Sequence, residues 1–304
     1  MINREDFQKF YSETLLPVLK ELEDVRMSAV QTFQKYLILG VGGTLVFLLI
    51  MYWAFDIVNL FTLIPVGVAI IVTISYYTNR KKEWTSLFKW RVIPELVKFV
   101  NPDFNYEPQN GIHQKEFYMS GLFKQNIDKY LSEDLIYGKV GETDLRCSEI
   151  HAIEIRESTD SKGNKTRTEH TIFRGVFVIA DFHKEFHGQT VVLPDVEQAF
   201  LGRFGQFFQG LASKLGLTQG QLVILEDPEF EKLFKVYSSD QIEARYILSP
   251  SMMQRIVEFR KKQTHHVFIS FFNSDMYIGV WCNRNRFEPP SLFVQPNRLL
   301  KPEL

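Results

Sequence analysis

Disulfides, a zinc framework and a strong charge of either sign are all missing from this chain. Two of its 304 residues are cysteine, Cys147 and Cys282, which excludes a disulfide scaffold and any multi-cysteine metal spacing. Basic and acidic residues nearly cancel, 35 against 36, so the basic excess of a nucleic-acid binder is absent. No phosphate-cradling glycine loop, dinucleotide fingerprint or nucleophile elbow occurs in the sequence. The reading therefore expects no cofactor and no nucleic-acid partner.

Charge is scarce locally as well. Between Lys35 and Arg80 a single formally charged residue occurs, Asp56. It divides the stretch into residues 36–55 and 57–79, each long enough to cross a ~30 Å hydrocarbon core at ~1.5 Å per residue. A signal peptide does not fit, because thirty-five helix-like, charged residues precede the first run and a second run follows at once. Backbone polar groups in lipid must be satisfied internally, so the expectation is a transmembrane helical hairpin turning at residues 56–59, with Asp56 a solvated turn residue. Lys20, Arg26 and Lys35 precede the pair, Arg80, Lys81, Lys82, Lys89 and Arg91 follow it, and the turn has no basic residue. The positive-inside rule then puts both termini in the cytoplasm, on a multi-pass chain. Gly40, Gly42 and Gly43 supply small residues for helix packing or self-association.

Outside the hairpin, residues 1–35 read as an amphipathic cytosolic leader helix. Its stripe is Phe7, Tyr11, Leu15, Val18, Leu22 and Val25, and Pro17 is expected to bend or split it. Residues 80–112 read as a juxtamembrane helix and a proline-broken linker, and residues 113–304 as a soluble α+β domain. Within that domain a short helix near 114–124 precedes strands at 135–140, 143–157, 168–182 and 189–193. A mobile polar tip is expected at 158–167. Asp195 opens a helix with the stripe Val196, Phe200, Phe204, Phe207, Leu211 and Leu215. Strands follow at 221–226 and 234–237, then helices opened by Asp240 and by Ser249-Pro250, then a hairpin over Ser274-Asp275. The fold class expected is α+β: one antiparallel sheet with helices packed on one face.

Three stretches carry a resemblance to a known family. They are FYSETLLPVLKELEDVR at residues 10–26, GVFVIADFHKEFHGQTVVLPD at 175–195 and LEDPEFEKLFKVYSSDQIEARYILSP at 225–250. With the paired apolar runs they make the chain resemble the bacterial domain of unknown function 3137. The resemblance implies a protein of the bacterial inner membrane with a cytosolic C-terminal domain, and it implies no reaction.

Candidate chemistry is sparse. His183 and His187 stand four apart, a spacing that clasps a metal on a helix, but a turn ending at Gly188 scatters them, so no metal is expected. His265 and His266 precede a strand and point to opposite faces. Asp227, Asp240, Glu243 and Arg245 form the most polar cluster and would be the catalytic acids and their partner if the chain were an enzyme. As structural residues they are turn and cap residues, with Arg245 pairing one carboxylate. Arg80, Lys81 and Lys82 would meet anionic lipid headgroups, and equally satisfy the topology rule. Three readings stay open: a membrane-anchored binding or scaffold module that self-associates and contacts other membrane proteins; an enzyme on a membrane-proximal or lipid substrate; and a reader of anionic headgroups.

Overall fold

Proline in a helix removes one donor and crowds the carbonyl four residues back. Here that carbonyl belongs to Glu13, and the chain relieves it with one wide turn. In the computed structural model, helix α1 (Arg4–Phe10) passes through a π-helical turn (Tyr11–Leu15) into α2 (Leu16–Phe55). Of the bend or split expected at Pro17, the split does not occur: one helix runs from Arg4 to Trp53. The structure describes residues 3–55, 64–123, 125–159, 163, 165–195 and 221–294. It divides into two compact units, Met1–Pro102 with Phe287–Leu304, and Asp103–Arg286. The turn at 56–59 and the helix expected after Asp195 lie outside the described residues.

In the helical unit, α3 (Ile64–Arg91) and α4 (Ile93–Val100) follow. The juxtamembrane helix expected within residues 80–112 breaks at Val92, because Pro94 fits only the first turn of a new helix. The leader buries its apolar stripe against protein. Leu15, Leu19 and Leu22 are buried, as are Trp84, Phe88 and Val92. Phe10 stacks on Phe99 at 4.1 Å, and Arg91 pairs with Glu21 at 2.8 Å. Val25, expected inside, is 41% exposed, and Arg26 next to it is buried instead. Residues 287–294 complete this unit. The Trp84 indole donates to the Pro290 carbonyl (3.1 Å), Lys89 pairs with Glu288 (3.2 Å), and Arg26 donates to the Leu292 carbonyl.

The second unit is built on strands β1 (Asn105–Glu107), β2 (Lys129–Val140), β3 (Thr143–Thr159), β4 (Lys165–Asp181), β5 (Gln189–Pro194), β6 (Gln221–Val223), β7 (Phe234–Ser238), β8 (Val267–Phe272) and β9 (Asp275–Trp281). They form one sheet, antiparallel throughout, in the order β1-β2-β3-β4-β9-β8-β5-β7-β6. Helix α5 (Gln114–Met119) precedes β2. Helices α6 (Pro228–Leu233), α7 (Gln241–Ile247) and α8 (Pro250–Lys262) lie between β6 and β8.

Both faces of this sheet are covered, which corrects the expectation of helices on one face. Successive strand residues point to opposite faces. Val191, Leu193, Phe268 and Tyr277 join a core with Phe117, Leu122 and Phe123 of the α5 segment. Their neighbours Val192, Val267, Ile269 and Phe271 join a second core with Phe230, Ile247 and Ile256 of α6, α7 and α8. Central strands buried on both sides lose the polar alternation that marks a one-sided sheet.

A second correction concerns the tip at 158–167. β3 and β4 stay paired as far as Thr159 and Lys165, and Arg167 meets Glu157 opposite it at 2.7 Å. Opposite charges placed across a ladder support it even where both faces are wet.

Candidate functional site

The acids singled out in the sequence hold backbone. Asp227 Oδ1 accepts from the amides of Glu229 and Phe230 (2.9 and 3.0 Å) and starts α6. Asp240 Oδ1 accepts from Ile242 and Glu243 (2.8 and 3.1 Å) and starts α7. The Glu243 carboxylate accepts from the amides of His187 and Gly188 (2.8 and 2.9 Å), pinning the turn before β5. Arg245, expected to pair one of these carboxylates, donates to Gln241 and to the Ile224 carbonyl instead. We predict that Asp227→Ala lowers stability by ~1 kcal/mol through the lost cap, read as a shifted denaturation midpoint of the solubilised protein.

His183 sits at φ +56°, its Nδ1 3.0 Å from Asp181 and its Nε2 3.1 Å from the Glu142 carbonyl. Both ring nitrogens are therefore engaged. Among the described residues, neither His183 nor His187 falls in a group of three metal-ligating side chains. Cys282 is buried, and burial pushes the Cys147 thiol up to about 11, which keeps it a thiol.

A carboxylate group that the sequence did not reveal lies in the sheet. Glu133 and Glu149 face each other across β2 and β3, and Asp134 follows Glu133 in the β2 bulge before Ile136, at φ +61°. One oxygen from each lies within 4.8 Å of the others, and Asp134 and Glu149 are buried. Tyr106 donates to Asp134, the Arg286 amide to Glu149, and Asn285 to Glu133 at 3.2 Å. Burial, the Asp134 hydrogen bond and the nearby negative charge all push the Tyr106 hydroxyl upward, so it stays a donor. An all-oxygen set suits a hard divalent cation, though acidic groups alone are common without one. Only strand register brings Glu133 and Glu149 together, so spacing gave no signal.

Among the described residues, two of the cavities lie between α2 and α3. One is a cleft of about 560 Å³ with an almost wholly apolar lining, including Leu37, Leu45, Leu48, Ile70 and Ile74. Thr44 and Thr73 return their hydroxyls to the Val41 and Ala69 carbonyls (2.9 and 2.8 Å), so neither adds an unmet polar group. The helices approach at Gly40, where a Cβ would stand 3.7 Å from that of Ala69. At Gly42 and Gly43 a Cβ would meet nothing within 4 Å.

The other cavity is smaller, about 120 Å³, and polar, lined by Arg26, Ser28, Thr32, Tyr76, Arg80 and Glu83 with apolar neighbours. Glu23 holds the buried Arg26 guanidinium in a two-point pair (2.6 and 2.8 Å), and that hydrogen bonding raises its pKa. Arg80 pairs with Glu83 at 2.6 Å and lies 5.3 Å from the centre of the Tyr76 ring. Lys81 and Lys82, singled out with Arg80, are exposed.

Comparison with known proteins gives one family and little else. The model of the family described as "Protein of unknown function (DUF3137)" matches residues 171–302. No curated protein matches the chain. Among solved structures, the mycobacterial trehalose monomycolate transport factor A is similar at 10% identity and a TM-score of 0.32, covering 65% of this chain and 83% of that one. That likeness is too slight to establish a shared fold.

Proposed function

We propose that this chain, whose residues 171–302 match the DUF3137 family model, is a membrane-anchored binding module. In this reading α2 and α3 cross the bilayer as a hairpin, and the sheet unit is displayed on the cytoplasmic side. The single observation carrying it is apolar exposure. Ile38, Leu39 and Trp53 of α2 are 68, 72 and 83% exposed, and Ile70, Ile71 and Ile74 of α3 are exposed as well. Side chains of this kind lose ~1.5–3 kcal/mol each when left in water rather than buried, and lipid removes that penalty. Among the described residues one helix, Arg4–Trp53, is long and apolar enough to cross; α3 contributes residues 64–79 of the second run. Basic residues on both flanks support cytoplasmic termini. Open space at Gly42 and Gly43 supports association with a second copy or another membrane protein.

The test is extraction and topology together. Alkaline carbonate is expected to leave the protein in the membrane pellet. Protease is expected to digest the sheet unit in inverted vesicles and spare it in intact cells. Release by carbonate, or digestion from outside, overturns the reading. Crosslinking in native membranes is expected to trap a homodimer or larger species, and a monomer alone would remove the self-association.

A further inference from the structure

The polar cavity lies at a telling depth. Its residues span 25–32 of α2 and 76–84 of α3, while the uncharged runs begin at residue 36 and end at 79. In the hairpin reading, on which this inference rests, the cavity falls at the boundary between acyl chains and headgroups. Tyr36 and Tyr76 lie together there at 5.0 Å, as interfacial aromatics do.

The lining holds two arginines, each paired with a glutamate. Arg26 is only 4% exposed, and Glu23, the Leu292 carbonyl and the Met27 sulfur hold its guanidinium. It is a fixed cation, and Glu23 offsets its charge. Arg80 is held more loosely: its partner Glu83 is half exposed, and exposed pairs of this kind contribute little. An incoming phosphate can replace Glu83 on Arg80 and gain a two-point hydrogen-bonded pair. We propose that this cavity binds the phosphate of one anionic phospholipid of the inner leaflet, with Arg80 as the displaceable contact and the buried Arg26–Glu23 pair as a fixed wall. Acyl chains fill the neighbouring apolar cleft without selecting a lipid, because the bilayer interior is as apolar as the cleft. Selectivity then resides in the headgroup.

The test uses the full chain, purified in mild detergent from bilayers of equal phosphatidylglycerol and phosphatidylcholine and read by native mass spectrometry. Wild type is expected to retain one phosphatidylglycerol per chain in preference to phosphatidylcholine. Arg80→Gln is expected to reduce that preference about fivefold, and Ala29→Leu, which fills the cavity, to abolish it. Both changes avoid the Arg26–Glu23 pair, and an unchanged circular-dichroism melt shows that they fold. Equal retention of both lipids by wild type, or an unaltered preference in Ala29→Leu, overturns the site. Dimers carrying no lipid would overturn it too, by making a second copy the occupant. A protein that stays in the carbonate pellet but shows no lipid preference loses this site and keeps its anchor. One that leaves the pellet loses both.

Discussion

Phe117→Ala is expected to destabilise the sheet unit by about 3–5 kcal/mol. The side chain is fully buried. Its ring stacks on Phe123 at 5.0 Å and meets Phe177 at 5.0 Å and Phe173 at 5.8 Å. Removing it opens a void bounded by three other rings, two of them fixed on the paired strand β4, which cannot all collapse inward at once. Aromatic contacts of this kind contribute ~0.5–1.5 kcal/mol each beyond area, so the loss should fall toward the upper end. Denaturant unfolding of the solubilised protein, followed by amide exchange in β4, measures it. A loss below about 1 kcal/mol would show that this aromatic cluster is not the centre of the unit.

Gly175→Ala should be as severe, for a reason of backbone rather than packing. Gly175 stands at φ +154°, opposite Trp281 in the β4–β9 ladder. A Cβ there would lie 2.0 Å from the Val280 carbonyl oxygen and 2.9 Å from the Cys282 amide. Those atoms belong to a paired central strand and cannot move aside without parting the ladder. We expect a loss of at least ~3 kcal/mol, seen as insoluble expression or a collapsed melting transition. Gly141→Ala supplies the contrast. It has φ +63° and nothing within 4 Å of a Cβ, so left-handed strain alone should cost ~1–2 kcal/mol. Equal effects at the two positions would contradict the steric account.

Much of the strand content was legible because β-branched and aromatic runs end on clear turn residues. The helix opened by Ser249-Pro250 is where the sequence places it, and the closing hairpin is present with its turn one residue earlier, at Asn273-Ser274. Elsewhere local signals misled. β1 lies between Pro102 and Pro108 and reads as linker, yet it needs only three residues to pair with β2. The first half of β2 was hidden by its polar composition and by the bulge at Asp134. Asp227-Pro228 reads as a turn and is the start of α6. Sheet order and two-sided burial depend on contacts between distant segments, which periodicity within one strand cannot report. The same limit hid the meeting of Glu133 with Glu149, and that of Arg26 with Arg80. Both are joined by pairing geometry between elements, not by spacing along the chain.

The return of residues 287–294 to the helices has a practical consequence. The sheet unit is an insertion in the sequence of the helical unit, joined covalently to it at each end. A truncation after Arg286 is therefore no trimming of a tail. It takes Glu288 from Lys89 and the Leu292 carbonyl from Arg26, two cations that are nearly inaccessible to water. Such a clasp makes residues 287–294 as much a part of the helical unit as the helices they close upon.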